Sequence, residues 1–355
     1  IIPKPVDSRV LLWVAPAVAK AAMDSGVARQ EINIDDYVIS LEKRLGIRQS
    51  FVRSVKDIIH AERGEASLPR IVFPEGGNER ILRACDRIID EELAQPILLG
   101  NAERIREIIS DLGLDNLKDI EIITPSKHER RASYADNFWK LRQRKGLSEE
   151  QAYALMKNEN YYGSMMVKHG HADGLLSGVT QGYRDTIRPF LQVVGARPGM
   201  KIAGVYMMLF KDRLLFFADT TVNIEPTAED LADIAICTAE EARFFHIEPK
   251  VAMLSFSNFG SNSHPNALKV REATRLVKLR RPDIMVDGEM QADTAVVPEI
   301  LNDVFSFSEI KGGANVLIFP DLQSANICYK LMQRIGGAEA IGPLLIGMNR
   351  PINIL

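Results

Sequence analysis

Short apolar runs alternate with amphipathic segments along most of this chain. The runs predict β-strands at residues 71–73, 96–100, 120–124, 172–177, 205–210, 213–219 and 315–321. Helical spacing predicts helices at residues 78–93 and 102–112 and through most of residues 127–170. Strands that alternate with helices are typical of parallel sheets joined by crossover helices. The predicted fold class is therefore α/β.

A predicted buried strand followed by polar residues lies in residues 251–264, VAMLSFSNFGSNSH. Its first half is apolar without alternation, which is typical of a strand covered on both faces. The second half exposes hydroxyl, amide and backbone N–H groups before a predicted helix at residues 267–278. A strand, a polar turn and a helix can bind an anion at unpaired amides. An ordinary connecting loop explains the pattern equally well, because neither GxGxxG nor GxxxxGK[ST] is present.

A second candidate loop spans residues 178–189, GVTQGYRDTIRP, and carries Arg184 and Arg188. Pro189 favours the first turn of a helix, so we expect Arg188 at a helix start that faces the end of the preceding strand. A guanidinium there could grip a phosphate through two parallel hydrogen bonds. The alternative is a surface arginine paired with a carboxylate such as Asp185.

Residues 1–66 carry three predicted helices and little core, and we interpret them as a linking segment. The helices are predicted at residues 10–26, 34–45 and 49–63, and Pro16 should kink or interrupt the first of them. The sequence IIPKP at the start has no initiator methionine. We expect the chain to be a piece of a longer polypeptide.

The second half of the chain repeats the α/β pattern, with local signals for several elements. The strands at 205–210 and 213–219 are close enough for a hairpin. Ser148 with Gln151, and Thr227 with Asp230, predict capping boxes that open helices. A strand at 284–286 should end in a turn at 287–291, DGEMQ. This turn and the residues after it carry the carboxylates of Asp287, Glu289 and Asp293. They could bind a hard metal ion, but the favoured interpretation is that they lie at the polar edge of a cleft.

Composition narrows the classes of function. The chain has 355 residues, of which 46% are hydrophobic, enough for two or three domains. A net charge of −3 with scattered basic residues argues against nucleic acid and membrane surfaces as partners. The separated Cys85, Cys237 and Cys328 exclude a disulfide framework and CxxC metal sites, and they fit a reducing cytoplasm. No apolar run approaches the roughly 18 residues that a membrane-spanning helix needs, which predicts a soluble protein.

Several segments, taken in order, resemble the phosphate acetyltransferases. They are IVFPEGGNERILRA (71–84), ADGLLSG with DTIRP (172–189), FADTTVNIEPTAEDLADIAI (217–236), VAMLSFS (251–257), DGEMQAD (287–293), NVLIFPDLQSANICYK (315–330) and GPLLIGMNRPIN (342–353). Residues 1–28 resemble the last segment of a bacterial malic enzyme's catalytic part. The combination is similar to the hybrid, MaeB-type NADP-dependent malic enzymes.

The resemblance implies two α/β domains with mostly parallel sheets, as in phosphate acetyltransferases and isocitrate dehydrogenases. The first would comprise residues 67–199 plus 343–355, and the second, residues 200–342, would form a homodimer or a larger homo-oligomer. Acetyl-CoA or CoA would bind in the cleft between them. NADP and a divalent metal would belong only to an upstream malic enzyme catalytic part, which would be this region's partner in the cytoplasm.

Two departures from the family pattern affect the expected activity. Gly182 and Tyr183 stand where the transferases carry a Ser-Thr pair, and the catalytic Ser-Arg pair would follow Leu355. We therefore assign no catalytic residue in this chain and expect a regulatory acetyl-CoA site. The alternatives are an active phosphate acetyltransferase and a purely structural oligomerisation module. The residues predicted to line the ligand cleft are Ser177, Gly178, Tyr183, Arg188, Asn258, Gly260, Ser261, Pro343 and Asn349.

Overall fold

The computed structural model describes residues 8–45, 47–63 and 67–355. Eleven strands within these ranges form two sheets. They are β1 Arg70–Phe73, β2 Gln95–Leu99, β3 Glu121–Ile123, β4 Gly174–Ser177, β5 Ala203–Leu209, β6 Leu214–Ala218, β7 Lys250–Leu254, β8 Met285–Met290, β9 Val316–Ile318, β10 Glu339–Ile346 and β11 Ile352–Ile354.

Fourteen α-helices accompany the strands in the described ranges. They are α1 Ser8–Asp24, α2 Ile34–Leu45, α3 Ile47–Arg63, α4 Glu79–Asp90, α5 Ala102–Leu112, α6 Arg131–Arg142, α7 Glu149–Leu155, α8 Glu159–Lys168, α9 Tyr183–Val193, α10 Ala228–Phe244, α11 Pro265–Arg280, α12 Ala292–Val296, α13 Pro298–Val304 and α14 Leu322–Arg334.

The first sheet has five strands in the order β11-β4-β1-β2-β3, and every neighbouring pair is parallel. Apolar side chains are buried on both of its faces, one against α6, α8 and α9 and the other against α4 and α5. This explains why the strand sequences read as continuous apolar runs rather than as alternating ones. We call the sheet and these helices the first unit.

The second sheet has six strands in the order β10-β5-β6-β9-β7-β8. β6, β9, β7 and β8 are parallel neighbours, whereas β5 pairs antiparallel with both β6 and β10. The predicted β5–β6 hairpin is confirmed, since the N–H of Phe210 donates to the carbonyl of Arg213 at 2.9 Å. We call this sheet with α10, α11 and α14 the second unit. The mostly parallel α/β fold predicted from sequence is confirmed.

Local helix signals were read correctly from sequence. Ser148 with Gln151 and Thr227 with Asp230 both form reciprocal capping boxes, at the starts of α7 and α10. Of the two expected effects of Pro16, an interruption does not occur, because α1 continues through it. The missing proline N–H removes only one backbone hydrogen bond, and the rest of the helix persists. Residues 1–7 of the predicted malic enzyme tail lie outside the described residues.

One strand boundary differs from the sequence prediction in a way that affects the site. Residues 287–290 do not form a turn but continue β8, with Gly288 at φ +141° beside a register shift against β7. The Asp-Gly pair was read as a turn because it is common in turns, but here the glycine serves an irregular strand. The predicted domain boundary at residue 343 falls within β10, which stays paired with β5 up to Ile346.

No described helix is long and apolar enough to cross a membrane.

Candidate functional site

The loop after β4 is held by one carboxylate from the loop after β1. Glu75 accepts the N–H groups of Gly178 at 2.7 Å and Val179 at 2.8 Å, and it also accepts the N–H and hydroxyl of Thr180. Successive amides that converge on one point form a nest suited to negative charge. In this protein the negative charge in the nest is the carboxylate of Glu75.

The ionised form of Glu75 is favoured by these contacts. Burial opposes ionisation, but the hydrogen bonds from Thr180, Val179 and Gly178 outweigh burial and lower the pKa of Glu75. Ser177 is fully buried beside it, with its hydroxyl 3.4 Å from the carboxylate. The predicted ligand residues Ser177 and Gly178 therefore shape the loop. The Ser177 hydroxyl and the Gly178 N–H are directed at Glu75, and the carbonyl of Ser177 accepts the N–H of Leu355 at 2.8 Å.

Gly178 is required by space and by backbone conformation. Its φ is +120°, and a Cβ at this position would lie 2.8 Å from Cγ2 of Ile354. The loop consequently passes directly against β11, so that the end of the chain at Leu355 lies beside the predicted cleft.

Tyr183 links the first unit to the second. It is the first residue of α9, and its hydroxyl donates to Oγ1 of Thr221, which follows β6, at 2.9 Å. Burial raises the pKa of Tyr183 to about 12, so the phenol is neutral at physiological pH. This hydrogen bond therefore joins the carboxyl edges of the two sheets.

Asp219 holds the loop of the second unit that carries Thr221, the partner of Tyr183. This aspartate is buried, with 3% of its surface exposed. One carboxylate oxygen accepts the N–H groups of Gly204 at 2.9 Å, Thr221 at 3.0 Å and Val222 at 3.1 Å. The other accepts the N–H of Asn223 at 2.7 Å and also its side-chain amide. Five donors on one carboxylate fix the backbone that presents Thr221 to Tyr183.

An aromatic stack lies next to this loop. The rings of Tyr206 and Tyr329 are stacked with centroids 4.4 Å apart, and Asn326 donates to the carbonyl of Thr220 at 3.2 Å. Pro343 is buried in an irregular part of β10, and a Cβ on the preceding Gly342 would lie 3.2 Å from the Tyr206 ring. Pro343 therefore directly follows a residue that packs against the Tyr206 ring.

The turn after β7 has the predicted position but not the predicted open amides. Glu289, fully buried on β8, accepts the N–H of Gly260 at 2.8 Å and the hydroxyl of Ser257 at 2.9 Å. The N–H of Asn258 donates to the hydroxyl of Ser261 at 3.0 Å. The expectation of unpaired amides was wrong because sequence does not show which distant carboxylate returns to a turn.

Glu289 is also paired with Arg271 of α11, whose Nε and Nη2 both lie 3.0 Å from its carboxylate oxygens. Burial opposes ionisation, but the hydrogen bonds from Arg271, Gly260 and Ser257 outweigh burial and lower the pKa of Glu289. Among the described residues, no hydrogen bond or ion pair joins residues 177–188 to residues 258–261. Tyr183 meets the loop after β6 instead.

Arg188 is not at a helix start. α9 begins at Tyr183, and Pro189 lies inside it. Gly182 is the N-cap of α9, and Asp185 lies in its first turn. The helix therefore begins earlier than the start that Pro189 had indicated. Arg188 is exposed, and within the described part of the chain it forms no ion pair with Asp185 or another carboxylate. It remains available to an anion.

Asn349 lies apart from the Tyr183 contact, exposed after β10, where its N–H donates to the carbonyl of Gly195 at 3.0 Å.

The carboxylates weighed as metal ligands have protein partners. Asp287 accepts from Lys278 at 3.3 Å, from the hydroxyl of Ser308 at 2.8 Å and from the N–H of Glu309 at 3.0 Å. In the described ranges, no group of three or more His, Cys, Asp or Glu side chains is arranged to hold a metal ion.

Sequence reasoning missed Glu75, Asp219 and Thr221 as site residues. A usable signal existed, because each lies at or just after the end of a predicted strand and the carboxyl ends of parallel strands carry ligand sites in open α/β sheets.

Comparison with known proteins agrees with this architecture. The family model described as phosphate acetyl/butaryl transferase matches residues 54–355. A crystal structure of a phosphotransacetylase from Streptococcus pyogenes superposes with a TM-score of 0.81 at 41% identity, covering 86% of this chain and 92% of that one.

Two kinds of relative match in sequence. The phosphate acetyltransferase of Thermoanaerobacterium thermosaccharolyticum is 44% identical over 302 residues, covering 83% of this chain and 91% of the relative. The NADP-dependent malic enzyme of Salmonella typhimurium is 40% identical over 362 residues, covering 100% of this chain. The chain spans 47% of that malic enzyme's length. From residue 54 onward, this chain belongs to the phosphate acetyl/butaryl transferase family.

Proposed function

We propose that this chain is the acetyl-CoA-binding regulatory part of a malic enzyme, the enzyme that decarboxylates malate oxidatively to pyruvate. The observation that carries the proposal is the extent of the matches. The malic enzyme of Salmonella typhimurium aligns with 100% of this chain, whereas the phosphate acetyltransferase alignment covers 83% and the family model begins only at residue 54. The segment with α1 and α2 is thus shared with malic enzymes.

The cleft contact supports binding without transfer. Tyr183 occupies a position where the transferases carry a small hydroxyl side chain, and its phenol is held by Thr221 at 2.9 Å. A neutral tyrosine fixed across the cleft narrows the space for a reacting acyl phosphate. In this proposal Arg188 binds a phosphate group of the ligand, because it is exposed and no carboxylate of the described residues pairs with it.

The remaining parts of the proposal concern assembly. The two units act as separate domains, the chain returns to the first unit after β10 ends at Ile346, and the second unit forms the homodimer. Ser177, Gly178, Asn258, Gly260 and Ser261 shape the walls of the cleft in this proposal, because neighbouring residues engage their described polar groups, backbone N–H groups included. Pro343 and Asn349 complete its edge, and the protein works in the cytoplasm.

Acetyl-CoA regulates only if it binds two arrangements of the protein with different affinity. Coupling free energies of about 1–3 kcal/mol, or roughly 5- to 150-fold in affinity, are usual for such effects. The Tyr183–Thr221 bond is one contact whose presence can distinguish a closed arrangement from an open one.

The second candidate is an active phosphate acetyltransferase, which moves acetyl between acetyl phosphate and CoA. It is favoured by the 44% identity to a protein of that name, of which the alignment covers 91%. In that case Arg188 would hold the acetyl phosphate, and donors at the cleft would stabilise the developing negative charge.

A transfer assay separates the two functions. The natural full-length polypeptide, supplied with acetyl phosphate and CoA, should form no thioester above the uncatalysed rate while still binding acetyl-CoA in a calorimetric titration. Sustained thioester formation would overturn the regulatory proposal and establish the transferase. If the calorimetric titration with acetyl-CoA gives no heat above dilution, both functions fail and the chain is a purely structural module.

A further inference from the structure

Helix α3 touches the second unit through Phe51. The Phe51 ring packs on Phe245 with centroids 5.5 Å apart, and Phe245 in turn contacts Phe216 of β6 at 6.3 Å. Phe51 is thereby an outlying part of the apolar core that α10 and the second sheet share.

The same helix touches the first unit through Lys56. Its Nζ lies 2.6 Å from Oε2 of Glu91, the residue that caps the end of α4. Lys56 follows Phe51 by five residues, which is about 7.5 Å along a helix. Burial opposes ionisation of Glu91, but its bonds with Lys56 and Arg87 outweigh burial and lower its pKa. One rigid element therefore spans both units.

Both contacts lie at the edges opposite to the cleft. Glu91 ends α4 and precedes β2, and Phe245 ends α10 and precedes β7, so both are at the amino ends of their sheets. The Tyr183–Thr221 bond lies at the carboxyl ends. A rotation that closes the cleft changes the separation of the opposite edges, and α3 is attached to each of them.

We infer that α3 is the element that transmits the relative position of the two units to α1 and α2, and through them to the malic enzyme part. α2 packs against both α1 and α3, which provides a continuous path of helices. On α1, Val14 is 49% exposed and Val18, one turn later, is 61% exposed, so an apolar face is available at the end of the path. The inference rests on the proposed function, because it requires that acetyl-CoA changes the cleft.

Hydrogen exchange measured by mass spectrometry on this chain, with and without acetyl-CoA, tests the path. In the unmodified chain, acetyl-CoA should change amide exchange in residues 8–45 by at least about fivefold, although these residues lie outside the cleft. Phe51→Ala and Lys56→Ala should each reduce that change to less than about twofold. Their affinity for acetyl-CoA should stay within about threefold of the unmodified chain, because neither residue lies at the cleft.

Two control variants match these changes. Val52→Ala alters an exposed residue of the same helix, and Lys140→Ala removes an exposed lysine that pairs with Asp136 on α6. Both should preserve the full exchange response. If Phe51→Ala and Lys56→Ala respond like these controls, or if acetyl-CoA binds without changing residues 8–45, the inference is overturned while the binding proposal survives. If acetyl-CoA does not bind at all, the proposed function and the inference both fail.

Discussion

Asp219→Asn is the substitution that tests most sharply how the cleft loop is built. The change keeps the shape of the side chain and replaces one acceptor oxygen by an NH₂ group. One carboxylate oxygen accepts three donors and the other accepts two, so either orientation of the new amide places a donor against at least two donors. The better orientation keeps Gly204, Thr221 and Val222 and loses the two contacts with Asn223.

The expected cost follows from this count. A buried hydrogen bond to a charged group contributes about 1.5–3 kcal/mol, and the two bonds lost at Asp219 therefore cost about 3 kcal/mol or more. The side-chain amide of Asn223 keeps its bond to the carbonyl of Ile202 at 2.8 Å. We therefore expect the loss in unfolding free energy to lie near the lower end of this range. With an unfolding slope of about 3 kcal/mol per molar urea, the midpoint should fall by about 1 M.

Urea unfolding followed by circular dichroism measures this midpoint. Asp212→Asn is the matched control, because Asp212 is an exposed aspartate beside the β5–β6 turn that pairs only with Arg213 among described ion pairs. It should leave the midpoint unchanged. A midpoint for Asp219→Asn within about 0.2 M of the unmodified protein would refute the claim that this carboxylate organises the loop.

Two further predictions concern close approach and pH. Gly204→Ala should destabilise the protein by about 1–3 kcal/mol, because a Cβ there would lie 1.9 Å from Oγ1 of Thr221. Gly77→Ala is the control, since a Cβ at residue 77 would have no atom nearer than 4.0 Å. Equal thermal unfolding midpoints for the two variants would contradict the close packing at Gly204. Glu289→Gln should destabilise the protein at neutral pH. Because its folded-state pKa lies below the ordinary value of 4.5, Glu289 stabilises above that pH and loses the effect as pH falls through the lower folded value. The difference in urea midpoint between variant and unmodified protein should therefore shrink from about pH 7 to about pH 3.5, and a difference that grows would contradict the ionised assignment.

Local chemistry made much of the fold predictable. The capping boxes at Ser148 and Thr227 were recognised because all their partners lie within one helical turn. Apolar strands such as β7 and β9 were recognised because a strand buried on both faces needs apolar residues at consecutive positions. The helix after β7 was likewise anticipated, two residues short at each end.

The site was less predictable because its bonds are distant in sequence. Glu75 reaches residues 103 to 105 positions away, and Glu289 returns to a turn about 30 positions earlier. A sequence shows that a turn is rich in donors but does not show which carboxylate fills it. Arg188 was misplaced for a different reason, since the tolerance of α9 for Pro189 depends on packing that a local rule does not include.

A calorimetric titration with acetyl-CoA tests the central claim most directly. We expect saturable binding with one site per chain. Arg188→Ala should weaken it about 10- to 100-fold, because a charge-assisted contact to phosphate is lost. Arg83→Ala, which removes an exposed arginine paired with Glu79 on α4, should leave the affinity unchanged. Absence of heat above dilution, or equal affinity of the Arg188→Ala and unmodified chains, would contradict the account.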